Sequence, residues 1–121
     1  VSTPRTVTVH TVDHGPVTFT CPPWCVAAHQ DGGHRADVSH DGLKVPLTFN
    51  GRTVGHALIS QAPYAELSTR EVQGFVVVTY DEDHGFDPAG LYDLAAAMDT
   101  HADRLRDLAD QLARILAGSG Q

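Results

Sequence analysis

Both cysteines of this chain lie in the run CPPWCVAAH at 21–29: Cys21 and Cys25 stand four apart, and His29 follows four residues later. Thiolate and imidazole are the donors zinc prefers, four of them in a tetrahedron. If the run is helical, positions i, i+4 and i+8 fall near one face, because residues four apart are surface neighbours. A fourth donor can come from the loop beyond Gly33, where His34 and His40 are both within reach. The reading is a Cys2His2 site of Cys21, Cys25, His29 and His40, with His34 as the substitute for His40. Residues 21–42 hold too few apolar side chains to order themselves, and a bound metal supplies that ordering free energy. Three other readings of the pair stay open: a disulfide, which the spacing permits; a redox pair, whose usual spacing is C-x-x-C rather than C-x-x-x-C; and two ordinary thiols, one ending a strand and one buried.

Catalysis by such a site would need three protein ligands, an open position for water and a general base. Asp31, His34, Asp37 and Asp41 are near in sequence and allow an open zinc enzyme as the alternative. Two thiolates and two imidazoles, however, fill the tetrahedron. The chain has no H-E-x-x-H, no deaminase pattern, no G-x-S-x-G elbow and no phosphate-binding glycine loop. The carboxylates of YDEDH at 80–84 could bind a cation, but between a strand and a helix such residues read first as solvated turn and cap. Trp24, between the cysteines, either covers the metal site or anchors the knuckle to the sheet.

CPPWCVAAH, followed by ADVSH at 36–40, resembles a family of small actinobacterial proteins of unknown function. Their pattern is C-P-x-W-C, a nearby His, and a second His after a short acidic-polar loop. Cys21, Pro22, Trp24, Cys25, His29 and His40 match it. The tail, a strand and turn followed by an alanine- and leucine-rich helix, is similar more loosely. The resemblance implies a Cys/His metal site and no established activity.

The elements that must position the site can be read in turn. TVTVHTV at 6–12 alternates, with Val7 and Val9 on one face, and VTFT at 17–20 pairs with it across the DHGP turn. Pro22 and Pro23 suit the first turn of a short helix that WCVAAH could continue and Gly32-Gly33 must break. LKVPLTF at 43–49 and RTVGHALIS at 52–60 flank Asn50-Gly51, a hairpin signal, with Pro46 at an edge or bulge. Residues 62–72 read as a loop or one short helix. VQGFVVVTYD at 72–81 is apolar on both faces, as a central strand is.

The clearest element spans 87–117. Asp87 caps it, Pro88 takes the first helical position and Gly118 stops it. About 30 residues at 1.5 Å each give roughly 45 Å. Leu91, Met98, Leu105 and Leu112 recur every seven residues; Leu94, His101, Leu108 and Ile115 follow three later; Ala95, Ala102, Ala109 and Leu116 widen the stripe. Such a helix outruns a five-residue strand of about 17 Å, so its overhang should find a partner, and a homodimer is one solution. His101 on the stripe either sets register or reaches solvent.

Length and composition bound the rest. The 121 residues make a single domain, 41% hydrophobic, with 15 acidic against 8 basic residues and a net charge of −7. That balance argues against nucleic acid, since only Arg35, Lys44 and Arg52 could form a basic face near the knuckle. No apolar run would span a bilayer, and VSTPRTVTVH lacks a signal-peptide core, so the cytoplasm is the expected location. The expected fold is α+β: a mostly antiparallel sheet of about five strands, a metal knuckle at 21–42 and one long C-terminal helix. The expected function is a non-enzymatic binding or regulatory module with structural zinc, acting through protein contact or as a homodimer through the helix.

Overall fold

The computed structural model describes residues 5–49, 51–78 and 85–118. Its class is α+β, with antiparallel strands and one long C-terminal helix. The strands divide between two sheets. β1 (Thr6–Thr11) and β2 (Gly15–Thr20) form a hairpin in which Val7 faces Phe19 and Val9 faces Val17. The alternation works as expected: Val9 and Phe19 are buried, while Thr6, Thr8 and His10 face outward. Thr8 and Thr18 hydrogen-bond across the outer face at 2.7 Å, a cross-strand pair of the kind that steadies a hairpin. Gly15 opens β2 at φ +62°, a left-handed value that favours glycine.

The second sheet is built around β5 (Arg52–Gln61). β4 (Val45–Phe49) pairs with its first half across the expected hairpin, and Gly51 takes φ +73° at the turn. The register slips between Leu47 and Thr48, next to Pro46, which lies on a strand whose only partner among the described residues is β5. β3 (His40–Asp41) pairs with the far end of β5, His40 opposite Gln61 and Asp41 opposite Ser60. β6 (Gln73–Val78) pairs with β5 on the other side.

Two expectations change here, and one open alternative resolves. β6 is an edge strand, not a central one: β5 is its only partner among the described residues, and Val76 and Val78 are 62% and 63% exposed. The run after Cys21 is not helical. Cys25 N–H closes a turn onto the Pro22 carbonyl at 3.0 Å, and Val26 N–H then donates to the Asp41 carbonyl, so the segment leaves the turn extended beside β3. Residues 62–72 form loop rather than helix. YDEDH at 80–84 lies outside the described residues.

α1 (Pro88–Leu116) has the bounds its caps predict. The Asp87 carboxylate accepts the Gly90 N–H at 2.8 Å, satisfying one of the free donors of the first turn. At the other end Gly118, at φ +81°, donates to the Ile115 carbonyl. The helix lies across the β4–β5 side of the sheet. Ala57 and Ile59 of β5 are buried, and Leu108 shares a crevice with Ile59, Val45 and Trp24. β5, with ten residues, spans about 33 Å, so the sheet supports more of the helix than a five-residue strand would. His101 keeps its Nδ1 buried without a hydrogen-bond partner, so that nitrogen does not reach solvent. No helix among the described residues is long and apolar enough to cross a membrane.

Candidate metal centre

The two sheets meet at the knuckle, and the four expected donors meet there too. The ligand atoms of Cys21, Cys25, His29 and His40 all lie within 4.8 Å of one another. Each is placed by a different local device. Cys21 extends β2, its N–H bonded to the Arg5 carbonyl at 2.8 Å. Cys25 closes the diproline turn. His29 comes back over Phe19 in an edge contact, ring centroids 4.9 Å apart. His40 opens β3 and is held by the pairing with Gln61. His34 does not join them: it is exposed and precedes the short 3-10 turn at Arg35–Asp37.

The distances suit a tetrahedral ion. His29 Nε2 is 3.2 Å from Cys21 Sγ and 3.7 Å from Cys25 Sγ. Zinc–sulfur and zinc–nitrogen bonds of about 2.3 and 2.0 Å imply a sulfur–nitrogen edge of about 3.5 Å, which these two values bracket. Both cysteines are free and buried, 1% and 7% exposed. His40 is buried, and its Nδ1 has no hydrogen-bond partner. Phe19 and Trp24 meet the His40 ring edge-on, at 5.4 and 6.4 Å between centroids. Trp24 also packs on the Val9–Phe19 core, so it both covers the site and anchors the knuckle.

Electrostatics prepares the same donor set. Burial, then the charge of Arg5, pushes the His29 imidazole down from its ordinary range; burial, then His29, does the same to His40. Both are thus favoured in the neutral form that binds metal. Burial and the neighbouring Cys25 push the Cys21 thiol up. Two adjacent thiolates need a positive partner to ionise together, and a divalent ion is that partner.

Two contributors were not foreseen from the sequence. The Arg5 guanidinium donates to Cys25 Sγ at 3.6 Å and to the Ala27 carbonyl. Asp41, next to His40, accepts from Ser60 Oγ at 2.6 Å and Ser39 Oγ at 3.1 Å, fixing the strand that carries the fourth donor. A lone arginine near the N-terminus gives no local sign of a contact made twenty residues on. Arg35 stacks over Tyr64 at 5.5 Å. A cavity of about 190 Å³ opens beside His29, walled by Thr11, His34, Asp37 and Asp41 among others.

A family model described as a domain of unknown function, DUF6907, matches residues 6–114. No curated protein matches the chain. No solved structure matches it either.

Proposed function

Since the chain belongs to the DUF6907 family, for which no function is defined, its activity has to be read from the four donors, and we propose that it is a small zinc protein whose Cys2His2 centre is structural. The observation that carries this is the convergence of Cys21, Cys25 and His29, from one nine-residue run, and His40, from β3, onto one point. Zinc fits better than a hard cation, because two sulfurs and two imidazoles with no carboxylate among them form a borderline-soft set. Four protein donors complete a tetrahedron and leave no position for a water nucleophile, which favours a binding or regulatory module over an enzyme. The module acts by protein contact, in keeping with the net charge of −7, and works in the cytoplasm, where free thiols persist. The C-P-x-W-C, His, His pattern is on this reading the family's metal signature.

The test is elemental analysis of protein purified without a histidine tag, beside Cys25→Ser. The expected result is about one zinc per chain, lost in the variant together with thermal stability. An absent metal, with both thiols titratable and the melting point of Cys25→Ser unchanged, would overturn the reading. A spectrum of the cobalt-substituted protein showing an exogenous ligand at the metal would instead favour the open, enzymatic form beside the His29 cavity.

A further inference from the structure

α1 carries more apolar surface than its own sheet covers. At about 100° per residue, Leu94, His101, Leu108 and Ile115 define the side turned to the sheet, and all four are partly buried. Arg104, Asp107, Gln111 and Arg114 lie to one side of that line, along the outer edge of β4. The opposite flank is different. Leu91, Met98, Leu105 and Leu112 run along it every seven residues. Ala95, Ala102, Ala109 and Leu116 run beside them, four residues on. Not one of these eight carries a charge. Alternate spacings of four and three, sustained over the length of a helix, form the seam by which one helix packs on another, and alanine in one column permits close approach.

This flank faces β6, whose outer edge has no partner strand among the described residues. A side chain built at Gly74 of β6 would meet Leu112 Cδ2 at 3.8 Å, so Gly74 points to the helix side of the sheet. Alternation puts Val76 and Val78 on the same side, opposite Ala57 and Gly55 of β5. Ala57 is fully buried, while Val76 and Val78 are mostly exposed. The helix packs mainly on β4, with lesser and equal contact to β5 and β6, and among the described residues an apolar trough remains between its flank and the exposed Val76 and Val78 of β6.

We propose that this trough is the interface of a homodimer, occupied by α1 of a second copy. A heptad seam asks for a helix bearing a matching seam, and this chain supplies one. The same patch serves on both copies, as a two-fold interface requires. The charges are placed to permit it: Asp103 and Asp110 lie on the far side of the helix, and Asp99 borders the alanine column at the rim rather than within the seam. The area is adequate. Leu91, Met98 and Leu116 are 54%, 48% and 59% exposed, and with Val76, Val78 and the alanines they offer on the order of 500 Å² of apolar surface per copy. A standard interface takes about 800 Å² per partner, of which roughly two-thirds is apolar.

The experiment is sedimentation equilibrium over a hundredfold range of concentration for the metal-loaded protein, Val76→Lys and Met98→Glu. Both substituted residues are solvent-exposed, so each variant should keep the wild-type circular dichroism and zinc content. The expected result is a wild-type mass of twice 13.0 kDa, with dissociation shifted at least tenfold to higher concentration in each variant. A wild type that stays monomeric throughout overturns the proposal. So does a dimer that both variants leave intact, which places the interface elsewhere. If Val76→Lys fails to fold, Met98→Glu decides alone by the same criterion. Unchanged zinc in a monomeric variant separates this proposal from the metal reading, which would stand without it.

Discussion

Arg5 is the residue whose role is most dependent on the folded chain. It reaches Cys25 only because Cys21 pairs with its carbonyl and brings the turn back beside it. A guanidinium donating to a thiolate withdraws charge from the sulfur and fixes its direction, as partners outside the ligand set do at other metal sites. Arg5→Ala should therefore weaken zinc affinity by about 10–100-fold, read by competition with a chromophoric chelator, with Arg5→Lys recovering only part of it because a shorter side chain ending in a compact ammonium does not reproduce the reach and planar fork of the guanidinium. Asp13 makes a second residue-scale contribution. The Arg35 N–H holds its carboxyl down at about 2. A carboxyl lowered in the folded state stabilises above its unfolded pKa and loses that contribution as pH falls from about 4 toward 2. Asp13→Asn should lower the melting point near neutrality, where the ionised carboxylate contributes, and flatten its fall between about pH 4 and 2.

At the scale of elements, what could be read beforehand divides by how local its cause is. α1 was readable because Asp87, Pro88 and Gly118 act on the residues beside them. The β4–β5 hairpin was readable because Gly51 sets its own turn. β3 was not: two residues have no period, and His40 and Asp41 become a strand only when β5 lies alongside. The four donors were identified by residue type and spacing, although the helix invoked to gather three of them is absent; a turn and an extended run do that work. β6 was misplaced for a physical reason. Apolar residues on both faces mark a strand covered on both sides, and the strand itself does not say whether its own chain provides the cover. Its one close approach offers a test. A side chain at Gly55 would come within 2.7 Å of the Val77 carbonyl. Gly55→Ala should force β5 and β6 apart and cost about 1–3 kcal/mol, measured by urea unfolding, with β6 amides exchanging faster than those of β1 and β2.

For the whole molecule, the metal centre links two sheets that share few other contacts. Without the ion, the knuckle keeps a half-buried imidazole, His29, and a buried one, His40, both with lowered pKa. Below about pH 6.5 the unfolded chain takes up protons that the folded chain refuses, so the metal-free protein should hold its full stability above that pH and lose it as the pH falls below. Melting of the metal-free form at pH 7.5 and 5.5 checks this: the melting point should drop at the lower pH, and His40→Gln should reduce the drop. The zinc form should show the loss only where protons displace the metal from its ligands.

The loop from Cys21 to His40 carries a kinetic consequence. β3 offers just two residues of pairing, and they must find β5 while about twenty residues of loop are still free, a closure that costs entropy before any contact repays it. An ion captured first by Cys21, Cys25 and His29, all within nine residues, would need only His40 to complete its shell. Seating His40 sets β3 at the end of β5. A bound metal would then serve as the folding nucleus that joins the halves of the molecule, and the order in which its ligands arrive would be the order in which the chain acquires its topology.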